Sequence, residues 1–156
     1  MVCNYAPQGE RTFPMCLENI RPPTEEERSK VHIGYKIVKR TVDPNVFLPF
    51  YNIGILYRVG ASVPAGNRES VLISKTEEAK CTIQEGIHFY TDEEILSMSP
   101  DLYKNEALIK ISVQGEDIVA FGIGPRPYPY RYRHPHRCRC RCQAVATKIT
   151  VLEEIK

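Results

Sequence analysis

The chain has 156 residues, a 42% hydrophobic and 26% charged composition, and a formal net charge of +2. Those proportions belong to one globular domain, and no run of 18 apolar residues is present for a membrane helix. The first ten residues lack the basic-then-apolar pattern of a secretory leader, so an intracellular location without membrane contact is expected.

The modest net charge conceals a division. Six arginines fall between Gly124 and Cys142, a stretch with no acidic residue, and their removal from 21 basic groups leaves 15 against 19 acidic ones. A body near −4 therefore carries a tract at +6. Such a tract can attract a polyanion, the chain's own body, or a second copy. Cys3, Cys16, Cys81, Cys138, Cys140 and Cys142 are read as thiols or metal ligands and not as a disulfide framework, because the leader that would imply secretion is missing.

Residues 1–30 show no sustained periodicity and are broken by Pro7, Pro14, Pro22 and Pro23. They read as an extended N-terminal arm ahead of a domain over 31–156. Within the arm, Thr24 followed by Glu27 forms a capping box that can open a short helix. Val31 to Lys39 is a strand in which Val31, Ile33, Tyr35 and Ile37 alternate with His32, Gly34 and Lys36, which predicts the first set on a buried face. Asp43-Pro44-Asn45 is turn chemistry. Ile55 to Gly60 predicts a second strand, residues 62–70 a loop, and Glu85 to Tyr90 a short strand. Thr91 as cap with Glu94 three residues on predicts a helix bearing Ile95, Leu96 and Met98 and stopped at Pro100. Gln114-Gly115-Glu116 predicts a hairpin turn between Ala107–Val113 and Asp117–Phe121. Ala144 to Leu152 reads as one closing strand. The expected fold is a single α+β domain, mostly an antiparallel or mixed curved sheet with one or two short helices.

The stretch 124–142 is an insertion rich in Pro, Tyr, Arg and Cys. Arg126, Tyr128, Tyr130, Arg131, Tyr132, Arg133, Arg137, Arg139 and Arg141 combine phosphate-seeking charge with stacking planes, the combination that tracks single-stranded nucleic acid. The sequence pI of 8.2 falls below the value of about 9 of a dedicated binder. Tyrosine and arginine are equally the residues enriched where protein partners meet. His134, His136, Cys138, Cys140 and Cys142 are five metal-ligand types in nine residues, which makes zinc the alternative cofactor to none. C-x-C spacing is not the C-x₂₋₄-C of structural zinc sites, since same-side Cα atoms of a strand stand about 6.6 Å apart. As a strand, 136–142 would hold its thiols on the buried side and its arginines outside, and two such strands could meet as an isologous dimer seam.

Gly34-Tyr35-Lys36-Ile37-Val38, Tyr57-Arg58-Val59-Gly60, Gly86-Ile87-His88-Phe89-Tyr90 with an acidic helix start, Ile109 to Gly115 and a closing Ala146-x-x-Ile149-x-Val151-Leu152 occur in that order. Together they resemble a small uncharacterised α+β module of phage and large-DNA-virus proteins, over residues 31–124 and 143–154. The resemblance implies a viral setting, including a place in the virion, and supplies no mechanism. The arm and the tract depart from it.

No G-x-S-x-G, H-E-x-x-H, Walker loop or G-x-G-x-x-G occurs, and Gly122-Ile123-Gly124 precedes prolines and not a helix. His88 as a base would need Glu85 or Asp92, and no nucleophile stands beside it in sequence. The sequence therefore favours a non-enzymatic protein acting through homo-oligomer contacts, a dimer above all. A nucleic-acid-associated protein using 126–141, or a zinc module at 134–142, are the alternatives.

Overall fold

The computed structural model describes residues 15–49, 55–64, 73–75, 81–83, 86–124 and 141–156. Its strands are β1 (Met15–Arg21), β2 (Val31–Arg40), β3 (Val46–Leu48), β4 (Tyr57–Arg58), β5 (Ser62–Pro64), β6 (Ile73–Lys75), β7 (Cys81–Ile83), β8 (Ile87–Tyr90), β9 (Glu106–Gln114), β10 (Ile118–Gly124), β11 (Arg141–Ala146) and β12 (Lys148–Ile155). Among the described residues the α-helical content is the four-residue α1 (Glu25–Arg28), joined by 3-10 segments at Glu93–Asp101 and Gly115–Asp117. The molecule is thus mostly sheet.

The sheet runs β5-β12-β9-β2-β8-β11-β10-β1-β7-β6, with β3 joined to β2 and β4 to β3, and every described pairing is antiparallel. Val63 and Ile149, from one end of this order, share a core with Ala144 and Ile118, from far along it. Only a sheet curved over on itself brings such strands face to face. The concave side holds Val38, Phe47, Tyr57, Phe89, Ile109, Ile111 and Val151. On the convex side Tyr35, Ile37, Tyr90 and Leu108 are covered by Ile95 of the 3-10 segment. Both faces of β9 are buried, which explains its near-continuous apolar run.

β2 is the spine of this arrangement. It pairs with β9 at every position from Val31 to Lys39. Its other edge meets β8 at Tyr35↔Tyr90, and then β3 at Lys39↔Leu48 and Arg40↔Phe47. The predicted strand is therefore present, but its predicted burial is half inverted: Val31 and Ile33 are 57% and 43% exposed, while Gly34 and Val38 of the opposite parity are buried. The convex face is covered only where the 3-10 segment reaches it.

Other elements differ from expectation for local reasons. Thr24 and Glu27 form the capping box, as their spacing predicts. The segment after Tyr90 is 3-10, and its first turn is set by Asp92, whose Oδ1 accepts from the Glu94 amide at 2.8 Å. Asp92, directly before the segment's first residue Glu93, thus takes the capping place expected of Thr91, and the Thr91 amide donates to the Cys142 carbonyl at 3.1 Å. The predicted closing strand is split at Thr147, whose amide donates to Asp117 at 2.9 Å. This bend separates β11 from β12 on opposite sides of the fold. The predicted second strand is reduced to β4, and β5 occupies the start of the predicted loop. Part of the N-terminal arm is β1, paired with β10 and β7.

Two glycines are fixed by close approach. A Cβ on Gly34 would stand 2.4 Å from the Phe89 ring, and one on Gly115 would stand 2.0 Å from the Glu27 carbonyl oxygen. Phe89 fills the slot Gly34 leaves, and α1 lies directly on the β9–β10 turn. Gly34→Ala should cost about 1–3 kcal/mol, the usual price of overpacking. Gly115→Ala should cost more, because it meets backbone that cannot rotate away. Urea midpoints of the two variants check the order, and an equal loss would remove the distinction.

Candidate functional site

The Arg-rich stretch connects two paired strands. β10 ends at Gly124, β11 begins at Arg141, and these two residues are register partners, followed by Ile123↔Cys142 and Gly122↔Gln143. Residues 125–140 are thus the connection of a β-hairpin whose ends are held side by side. Arg126, Tyr128, Tyr130, Arg131, Tyr132, Arg133, His134, His136, Arg137, Cys138, Arg139 and Cys140 lie outside the described residues. Of the sequence-predicted site, Arg141 and Cys142 are described.

Cys142 corrects one expectation. Its parity is that of Ala144 and Ala146, which are fully buried, yet Cys142 is an exposed free thiol. The core ends one residue pair before it, so the expected inward thiol points past the last covered layer. Its carbonyl, bonded by the Thr91 amide, brings Asp92, Glu93 and Glu94 close to the root of the hairpin. The described end of the Arg-rich tract, Arg141 and Cys142, therefore lies beside an acidic turn. Among the described residues no three His, Cys, Asp or Glu side chains gather as a metal site, and no helix is long and apolar enough to cross a membrane.

A second polar site lies beside β2 and was not singled out from sequence. Between Tyr35, where β8 is paired, and Lys39, where β3 takes over, the edge of β2 has no strand partner among the described residues. Lys36 occupies this fork. Its ammonium donates to the His88 carbonyl at 2.6 Å and stands 6.0 Å from the centroid of the Tyr57 ring. Burial pushes the Lys36 ammonium down to about 8. The same cause, with the charge of Lys36 second, pushes the His88 imidazole down to about 3. Burial also raises the Tyr57 hydroxyl. Tyr57 Oη and His88 Nδ1 are buried and find no hydrogen-bond partner among the described residues. The sequence signal was a lysine on the parity of Gly34 and Val38, the face that proves to be the core.

Of the two carboxylates named from sequence as partners for His88, Glu85 lies outside the described residues, and the Asp92 Oδ1 accepts from the Glu94 amide. His32, the other strand histidine, is occupied structurally. Its Nε2 donates to the Glu27 carbonyl at 2.7 Å, and its ring lies 5.8 Å from that of Phe121. Arg21 crosses the same Phe121 ring at 4.7 Å and forks onto both carboxylate oxygens of Glu27 at 2.6 and 2.9 Å. The Arg21 hydrogen bonds, with the Thr24 amide second, hold the Glu27 carboxyl down to about 2. This cluster fastens β1 and α1 to the sheet.

A shallow cleft of about 510 Å³ lies at the far end of β2, lined by Arg40, Tyr103, Lys104, Glu106, Glu154 and Lys156 among others. Arg40 is already bidentate to Glu154 at 2.5 and 2.8 Å, and Glu106 accepts from the Tyr103 amide. Comparison with protein-family models, with curated proteins and with solved structures found no match.

The buried histidine sets a pH dependence. With a folded value near 3 and an unfolded value of 6.5, the unfolded chain binds the extra proton between these limits, so stability is full above pH 6.5 and falls as pH drops toward 3. Glu27 adds a loss in the same direction from its ordinary 4.5 down to about 2. Replacing His88 by Gln should flatten the upper part of this limb by up to one proton, about 1.4 kcal/mol per pH unit. Urea denaturation at pH 4, 5.5 and 7 measures it, and parallel limbs for both proteins would reject the assignment.

Proposed function

We propose that this chain is a non-enzymatic interaction protein that works as a homo-oligomer, most simply a dimer, with the hairpin 124–142 as its contact element. The observation that carries the reading is the closure of that hairpin by Gly124↔Arg141 in the middle of the sheet. Connections longer than about 12–15 residues are uncommon in compact domains and are usually functional. This one carries Tyr128, Tyr130 and Tyr132 among five arginines, with a sixth, Arg141, opening β11, the composition of a protein interface. The body's excess of acid, part of it at the hairpin's root, makes a second copy a suitable partner. On the resemblance of its strand motifs, the setting is viral, structural or virion-associated. We place the fold in the α+β class, with α1 and the 3-10 segment closing separate parts of one curved sheet.

Nucleic acid is the alternative partner, because the same six arginines and three tyrosines suit a single strand. Zinc at His134, His136, Cys138, Cys140 and Cys142 is the alternative use of the tract's second half, and the exposed Cys142 thiol is the one of these ligands whose placement favours it.

Light scattering separates the readings. The oligomer reading expects a mass near twice 17.9 kDa at micromolar concentration. A variant with residues 126–140 replaced by a short Gly-Ser turn should keep its fold and become monomeric. A monomeric parent chain would reject the proposal. Retention on a single-stranded column that falls steeply with salt and is lost in Arg137→Ala with Arg139→Ala and Arg141→Ala would replace it with the nucleic-acid reading. Stoichiometric zinc lost in Cys138→Ser with Cys140→Ser would establish the metal.

A further inference from the structure

Room for a ligand is found at the far end of β2, in the cleft of about 510 Å³. Small-molecule sites run from about 300 to 1,000 Å³ and set a few charged groups around an apolar floor. Leu102, Tyr103 and Lys104, just ahead of β9, line this cleft together with Glu154, Ile155 and Lys156 at the end of β12. Its walls are pinned. The Tyr103 amide donates to Glu106 Oε1 at 2.7 Å, the Glu106 amide to the Tyr103 carbonyl at 2.9 Å, and the Arg40 amide to the Asn105 carbonyl at 2.7 Å. The Arg40 guanidinium forks onto Glu154. A ligand therefore meets walls already ordered, which removes one cost of binding.

Three cations and two carboxylates line the cleft, and they are not matched one to one. Glu106 is 3% exposed and stands opposite Lys39 in the β2–β9 ladder, so its charge is scarcely presented to a ligand. Glu154 is held by Arg40, whose hydrogen bonds, with the charge of Lys156 a later contribution, keep its carboxyl below the ordinary value. Both acids are thus answered within the fold. Lys104 and Lys156 are exposed and enter no hydrogen bond or ion pair among the described residues. Beside them Leu102 and Ile155, half-buried against the convex core, leave apolar surface, and Tyr103 is 55% exposed.

These groups select the occupant. A cation meets two lysines and carboxylates already engaged. A bare inorganic anion leaves the apolar surface wet, and a neutral apolar molecule leaves the lysines unanswered. We infer that the cleft is a binding site for a small organic acid, its carboxylate drawn by Lys104 and Lys156 and its apolar body laid on Leu102 and Ile155 beside Tyr103. An aryl acid suits it well, since a planar body can stack on a tyrosine ring. The site lies apart from the hairpin and does not depend on the oligomer reading.

Backbone amide shifts of the full chain, followed while 1-naphthoate, 1-naphthalenemethanol and 1-naphthylmethylamine are titrated separately, test it. The three probes share one apolar body and differ in charge. Naphthoate should shift residues 102–108 and 154–156 saturably, the alcohol should bind there about threefold or more weakly, and the amine should leave them unmoved. A Lys104→Met, Lys156→Met double variant, changed at exposed positions that leave the fold intact, should lose about three- to tenfold in naphthoate affinity and bind the alcohol as before. Tyr103→Ala should weaken both probes. Equal affinity for the three probes overturns the inference, as do shifts elsewhere or none. An unchanged naphthoate affinity in the double variant overturns it too.

Discussion

Everything in this fold depends on β2 being bonded differently along its two edges. One edge is zipped to β9 from Val31 to Lys39. The other is divided between β8 and β3, and the sheet curves because these two partners go to different places. β8 leads into β11 and β10, while β3 leads to β4 and its buried Tyr57. The close approach of Phe89 to Gly34 holds the first branch. Only a residue without a side chain leaves room for an aromatic ring directly over a strand. The second branch is held by Phe47 and Tyr57, which join the concave core. Lys36 stands between the branches, and its ammonium donates to the His88 carbonyl.

The ends of the curved sheet are closed by different physics. At the start of β2, α1 presses its backbone against Gly115, and the Arg21–Glu27 fork with the His32 and Phe121 rings ties β1 into the same corner. Arg21 is half-exposed, and exposed ion pairs contribute on the order of 0–1 kcal/mol. The corner's stability therefore rests more on α1's backbone fit and on ring contact than on charge. The opposite end of β2 is held by Arg40 and Glu154, where the carboxylate side chain is 11% exposed and a bidentate geometry is worth more.

Much of this was legible in the sequence where local chemistry decides the outcome. The Thr24–Glu27 box is formed because its partners lie within three residues. The chain does turn at Gly115–Asp117, but the expected hairpin is not formed, because β9 pairs with β2 and β12 while β10 pairs with β1 and β11. β2 was legible as a strand, but its buried face was not. Alternation marked Val31 and Ile33 as core, and they are exposed because what covers that face is a segment sixty residues later that reaches only Tyr35 and Ile37. Lys36 was passed over for the same reason: a polar residue in an alternating strand reads as solvent-facing until a second layer is known. The bend at Thr147 carried no glycine or proline to announce it. It is imposed by the Asp117 carbonyl, thirty residues away in sequence. Cys142 had the right parity for burial and the wrong depth.

The division between fold and tract also has a thermodynamic side. Closing a flexible loop costs entropy that grows only as the logarithm of its length, about 0.6 kcal/mol for each doubling. With Gly124 and Arg141 already paired within a ladder that continues to Ala146, a longer connection at this point weakens the body very little. The body needs only that β10 and β11 stay adjacent. A sequence inserted there is free to be selected for charge, aromatic content or thiols without regard to the core, and this accounts for a composition found nowhere else in the chain. It also predicts that the stability of the body and the binding behaviour of the tract vary independently, so that substitutions at Arg126, Arg131 or Arg133 leave the unfolding midpoint within the ±0.5 kcal/mol typical of surface changes. A larger loss would mean that the tract is packed into the body and is part of the fold.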